Sequence, residues 1–156
     1  KYDRFLEPRS PNFRGVLLMF EHDAFEDLNL RRAAGVHIGR QFFDDSRLTL
    51  SAEVGAAVVD EDFNQADDDR WLAAVWNYDL SSDFLGHGMI AYTGQHGYLR
   101  VDDPTDVILN TTLGLRFPMV HGFETSIEVL YEYDGGAVDH VEKLDKTYNF
   151  RLGYAW

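Results

Sequence analysis

His37, Glu53 and Ser51 are the residues of this chain best suited to covalent chemistry. A histidine base, a carboxylate that orients it and a hydroxyl nucleophile make a hydrolase if they come within hydrogen-bond reach. A hairpin centred on Asp45 would put His37 opposite Glu53, with Ser51 diagonal to both. The competing reading is a buried polar network, in which each group needs a partner. Parity favours the network. All three residues fall on one face of their strands, and a lipid-cleaving enzyme must turn its nucleophile towards lipid. No catalytic residue is therefore expected, and an outer-membrane lipid hydrolase ranks behind the other functions considered.

Metal chemistry fares no better. Asp60-x-Asp62-x-Asn64 begins like a calcium loop, but Gln65 stands where the turn glycine belongs and Trp71 where the bidentate glutamate belongs. The other histidines, His22, His87, His96, His121 and His140, have no ligand spacing, and there is no cysteine. No metal and no cofactor are expected. A weak bridge from the acidic 60–69 segment to lipopolysaccharide phosphates is conceivable chemistry for such a loop. A net charge of −13 argues against a nucleic-acid partner, because phosphates would be repelled.

The elements that must carry these residues are strands. Apolar and polar residues alternate with period two through 28–42, 48–58, 72–80, 109–117, 123–134 and 148–156. In the first, Leu28, Leu30, Arg32, Ala34, Val36 and Ile38 oppose Asn29, Arg31, Ala33, Gly35, His37, Gly39 and Gln41, so one face is mostly apolar and the other polar or small. Weaker alternation over 13–22 and 89–99 brings the count to eight strands, and 1–7 is a possible ninth. No apolar run approaches the roughly 18 residues of a membrane helix, whereas a membrane strand needs only about 9–11.

Alternation fits a soluble sandwich with apolar side chains inside, or a membrane barrel with them outside. Three features select the barrel. Many strands are 11–16 residues long, against about 5–6 in soluble sheets. The polar face is rich in Gly, Ala, Ser and Thr. Aromatics gather near strand ends, at Phe42, Trp71, Tyr78, Tyr98, Phe117, Phe123, Tyr133, Tyr148 and Trp156, as interfacial girdles do. The expected fold is an all-β, antiparallel up-and-down transmembrane β-barrel in a single domain over 1–156. Its interior polar network would comprise Arg31, His37, Glu53, Asp79, Arg116, Glu124, Glu128, Glu132 and Arg151. Arg116 and Glu124 should face each other across a turn at 118–122. The run Tyr148, Phe150, Leu152, Tyr154 and Trp156 has the form of an assembly signal read by the barrel-assembly machinery.

Short links at 44–46, 81–88 and 118–122 alternate with acidic links at 60–69, 100–106 and 134–146. This is the barrel pattern of turns on one side and longer loops on the other. It places the C-terminus in the periplasm and the acidic loops outside.

Several segments resemble a known family. They are Tyr2-Asp3-Arg4-Phe5-Leu6, Phe20-Glu21-His22-Asp23-Ala24-Phe25, Leu30-Arg31 with Gly35 and Gly39, and Gln41-Phe42-Phe43. Leu48-Thr49-Leu50, Glu53-Val54-Gly55, Gly114-Leu115-Arg116-Phe117-Pro118 and Leu152-Gly153-Tyr154-Ala155-Trp156 continue the series. In order and spacing they are similar to the YdiY-like family of salt-induced outer-membrane proteins (domain of unknown function 481). The resemblance implies a Gram-negative outer-membrane barrel with no established reaction. It also implies further strands before Tyr2, so the chain is either part of a barrel of roughly twelve strands or closes with eight. The function expected first is a non-enzymatic outer-membrane barrel, structural or related to envelope stress, in contact with outer-membrane lipid and lipopolysaccharide. A narrow, porin-like channel is the alternative, because a polar lumen in a wider barrel can conduct.

Overall fold

A computed structural model describes residues 1–7, 10–23, 28–64, 67–83, 85–137 and 142–154. Ala24, Phe25, Gln65, Ala155 and Trp156 lie outside them. The described chain forms one nine-stranded sheet in which every strand pairs with its sequence neighbours. The strands are β1 (Tyr2–Phe5), β2 (Asn12–Asp23), β3 (Leu28–Asp44), β4 (Leu48–Phe63) and β5 (Asp69–Ser82). After them come β6 (Ile90–Arg100), β7 (Val107–Pro118), β8 (Phe123–Asp134) and β9 (Leu144–Tyr154). All eight pairings are antiparallel. This is the up-and-down order that the spacing of alternating segments predicts, with the doubtful first strand present. β1 and β9 are the edges of the sheet.

The sheet curls strongly. Arg31 on β3 meets Asp134 on β8 at 2.8 Å, and Tyr98 on β6 reaches Met19 on β2 at 3.3 Å. Small residues on the concave face permit this. A side chain at Gly15 would collide with Asp3 and His37, and one at Gly39 would collide with Phe13 and Glu53. Bulky inward groups can cross the interior because their neighbours have no Cβ.

The faces are arranged as expected. Along β3, Arg31, Ala33 and His37 are buried while Arg32, Ala34, Val36 and Ile38 are exposed. The outer face carries Leu18, Phe20, Val36, Ile38, Val54, Ile127, Phe150 and Leu152, each more than half exposed. The inner face holds an apolar cluster of Ala33, Ala57, Val59, Trp71, Ala73, Val75, Tyr98 and Ile108, with Leu17 and Met19 against it.

Four expectations need correction. Leu28 points inward and is almost fully buried, while Asn29 is exposed, because an irregularity between Leu28 and Leu30 reverses the parity there. Trp71 and Tyr98 are interior residues rather than girdle residues. Next, the β3–β4 hairpin is centred later than Asp45. Asp45 Oδ1 accepts hydrogen bonds from the amides of Arg47 (2.8 Å) and Leu48 (2.9 Å), which fixes the turn at 45–47, and a bulge at Phe42 precedes it. His37 therefore pairs with Gly55, Gly39 with Glu53, and Gln41 with Ser51. Lastly, Pro118 stays in strand and a short 3-10 turn occupies Val120–Gly122, with His121 at φ 60°. Arg116 accordingly faces Ser126, and Glu124 faces Pro118.

Candidate functional site

The site is the polar interior, and it divides into clusters at different heights. Nearest the acidic loops is Arg31. Its guanidinium lies 2.6 Å from Glu61, 2.9 Å from Glu21 and 2.8 Å from Asp134, so one planar fork ties β3 to β4, β2 and β8. Trp71 Nε1 donates to the other oxygen of Glu61 at 2.8 Å. Arg31 and Glu61 are buried, and only Glu21 stands at the rim. Buried charges are tolerable only when paired in this way. Below this cluster the apolar residues around Trp71 and Tyr98 fill the interior.

A second cluster lies towards the short turns. His37 Nε2 is 2.6 Å from Asp3 Oδ1 and 3.6 Å from Glu53 Oε2. Lys1 Nζ is 2.5 Å from Glu53 and 3.5 Å from Asp3. Asp3, His37 and Glu53 each offer one ligand atom, and these atoms lie within 4.8 Å of one another, a donor set suited to a divalent cation. The Lys1 ammonium already supplies a cation's charge to both carboxylates. Sequence reading missed this cluster because Asp3 sits on the one strand that periodicity left doubtful. The hydrolase geometry does not form. Ser51 is four residues along β4 from the partner of His37, about 13 Å at strand rise.

The third cluster is on the far wall. The Tyr92 hydroxyl donates to Glu128 Oε2 at 2.9 Å, and Arg151 Nη2 lies 2.7 Å from Glu128 Oε1. Arg116 stacks 5.8 Å over the Tyr92 ring rather than pairing with Glu124. Asp79 is on the inner face but exposed, and accepts a hydrogen bond from Asn77 at 2.9 Å. Glu132 stands opposite Asn110 and Asp145. A polar cavity of about 480 Å³ opens here, lined by Asn77, Asp79, His96, Asn110, Thr112 and Arg116 among others. The predicted interior residues thus share a face, but they form separate clusters rather than one continuous network.

The calcium-like stretch is not a loop. Asp60 and Asp62 lie within β4 and are held by Arg32 and Asn29 at 2.5 and 2.7 Å, while Glu61 points inward to Arg31. Extended backbone sets Asp60 and Asp62 about 7 Å apart on one face, each already held by its own cross-strand partner, so they do not wrap an ion as a loop would. In the loops themselves, hydrogen bonds from the Thr105 hydroxyl and amide hold the Asp103 carboxyl below its ordinary range. Burial pushes the Asp106 carboxyl up, against its contact with Arg100, and Asp134 and Glu61 add to the rise.

A single up-and-down antiparallel sheet, curled so that charges pair inside and apolar side chains point out, has the construction of a β-barrel. The family model described as protein of unknown function, DUF481, matches residues 1–156, and the chain belongs to that family. No curated protein and no solved structure matches the chain.

Proposed function

We propose that the protein is an integral outer-membrane β-barrel of a Gram-negative bacterium, without enzymatic activity, that serves a structural or envelope-stress role. One observation carries this reading: the exposed apolar face. Val36, Ile38, Leu18, Phe20, Val54, Ile127, Phe150 and Leu152 are 51–71% exposed, on one face of a sheet whose opposite face buries Arg31, His37, Glu53, Glu61 and Glu128. In water this inversion would cost roughly 25 cal/mol for each Å² of apolar surface left wet. In lipid it is the favourable arrangement. Among the described residues no helix is long and apolar enough to cross a membrane, a criterion that does not bear on strands. The acidic loops face outward from the cell in this reading, the C-terminus is periplasmic, and the run Tyr148, Phe150, Leu152, Tyr154 and Trp156 is the segment that the barrel-assembly machinery engages.

A narrow channel is the second reading, favoured by the polar cavity beside Asn77, His96 and Asn110. The Arg31 cluster and the Trp71–Tyr98 packing stand against it, since they fill the interior at the acidic-loop end. The test is refolding of the full natural chain into phospholipid vesicles, read by heat-modifiable gel mobility and protease protection, followed by conductance in a planar bilayer. Insertion without conductance is the expected result. Failure to insert under conditions that fold other barrels removes the membrane reading, and steady unitary currents replace the structural role with transport.

A further inference from the structure

The outer face carries arginines that no carboxylate among the described residues neutralises. Arg4 on β1 and Arg14 on β2 stand directly opposite each other and both are exposed. Arg14 pairs in turn with Ile38, and Arg40 lies two residues further along β3, diagonal to Arg14. Among the described residues, Arg4 and Arg14 have no ion pair, and Arg40 contacts only the Phe42 ring, at 5.8 Å. Like charges directly opposite in a sheet repel. An arginine facing lipid is costly unless it lies near an interface or meets an anion. Three of them converge towards the short-turn end, among Tyr2, Leu6, Ile38, Phe42 and Val54, with Asn12 opposite Arg40.

The surroundings indicate the anion. A shallow groove of about 740 Å³ runs from Arg4 and Arg14 along Val16, Val36, Ile38 and Val54. A second groove of about 440 Å³ shares Ile38 and Val54 and adds Leu6, Phe42 and Arg40. Charge therefore sits at one end of an apolar track. Guanidinium forks match phosphate oxygens in pairs, and the aliphatic track matches an acyl chain.

We propose that Arg4, Arg14 and Arg40 form a binding site for the phosphate of an anionic glycerophospholipid, with an acyl chain lying along Val16, Val36, Ile38 and Val54. The site takes phosphatidylglycerol-type lipids from the leaflet at the short-turn end. Bound phosphate relieves the Arg4–Arg14 repulsion and fixes this part of the barrel at the membrane interface. This rests on the membrane reading above, so the test reports the two separately.

The full natural chain is folded in neutral phosphatidylcholine vesicles and in vesicles containing phosphatidylglycerol, with insertion read by heat-modifiable mobility. Retained lipid is then counted by native mass spectrometry from neutral micelles holding both lipids. The expected result is insertion in both vesicle types and a preference of about tenfold for phosphatidylglycerol. Arg4→Gln with Arg14→Gln should abolish the preference, Arg14→Lys should weaken it, and Arg116→Gln, on the inner face, should leave it intact. An equal preference in the double variant overturns the site, as does insertion of the unmodified chain with no preference at all, a result that leaves the membrane reading standing. Failure of the unmodified chain to insert in either lipid overturns both. Displacement of the lipid by excess inorganic phosphate overturns a lipid site in favour of a simple anion site. A dimer that forms without anionic lipid and is lost in the double variant assigns the arginines to a second copy instead.

Discussion

Arg31 is the residue on which the interior depends most. It is 5% exposed and meets carboxylates from three other strands, so its removal leaves Glu61 and Asp134 buried beside Asp106 with no cation between them. Breaking a buried pair from one side costs about 3–5 kcal/mol, a large part of a typical stability of roughly 5–15 kcal/mol. Arg31→Met should therefore lower the urea midpoint in vesicles sharply, while Arg116→Gln, which gives up a ring contact, should cost far less. Equal midpoints for the two variants would remove the central role given to Arg31. Parity along 28–42 puts Arg31 and His37 on one face, and both are buried, because alternation is a local property of the chain. Their partners were out of reach of that signal. Asp134 lies 103 positions from Arg31 and Asp3 lies 34 from His37, and no period in one strand reports which distant strand crosses the interior.

At the scale of the element, register is the quantity the sequence expressed least well. The pairings in β3–β4 and β7–β8 are each displaced by two residues from those expected, which leaves faces unchanged, Leu28 and Asn29 at the start of β3 apart, but changes who meets whom. The cause is turn geometry, and at 45–47 it is testable. The Arg47 and Leu48 amides hold the Asp45 carboxyl below the usual carboxylate range, so its contribution is present above the ordinary carboxyl pKa and is lost as pH falls through the depressed value. Protection of the Arg47 and Leu48 amides, taken relative to their intrinsic exchange at each pH, should fall over that acid window, and Asp45→Asn, which keeps an acceptor oxygen, should remove that fall. Unchanged protection across the window would show that Asp45 does not set the turn. On β7 the faces themselves can be tested. Leu113 is 46% exposed on the outer face, and Thr112 lines the polar cavity. A lipid-facing Arg near the midplane costs about 2–4 kcal/mol, so Leu113→Arg should reduce the inserted fraction well below that of Thr112→Arg. Gly114 is a poor control, since any side chain there strikes the Tyr92 ring. The reverse order of Leu113→Arg and Thr112→Arg would mean that the faces are assigned backwards.

For the whole molecule, the two ends of the sheet differ chemically. One end carries the tight turns at 45–47 and 119–122, and the other carries the 101–106 link and the Arg31 and Arg100 clusters. Arg100 binds Asp69, Asp102 and Asp106 at 2.5, 3.1 and 3.4 Å, so the acidic end is knitted across β5, β6 and the 101–106 link. In the barrel proposed above, the end with the two tightest turns is the periplasmic one and the acidic end faces outward, since turn ends of barrels cross no membrane. The orientation can be read with single cysteines, because the chain has none of its own. Val101→Cys, at a position 56% exposed in the acidic-end link, should react with a membrane-impermeant maleimide on intact cells. Ser46→Cys, in the exposed 45–47 turn, should react only after the outer membrane is opened. The serine substitution is nearly isosteric, and Val101 is exposed, so neither change removes a buried contact or an ion pair. Both proteins should therefore insert normally, and the comparison reports access rather than folding. Labelling of Ser46→Cys alone on intact cells would turn the barrel over. Labelling of both without opening the membrane would place the chain outside the bilayer altogether.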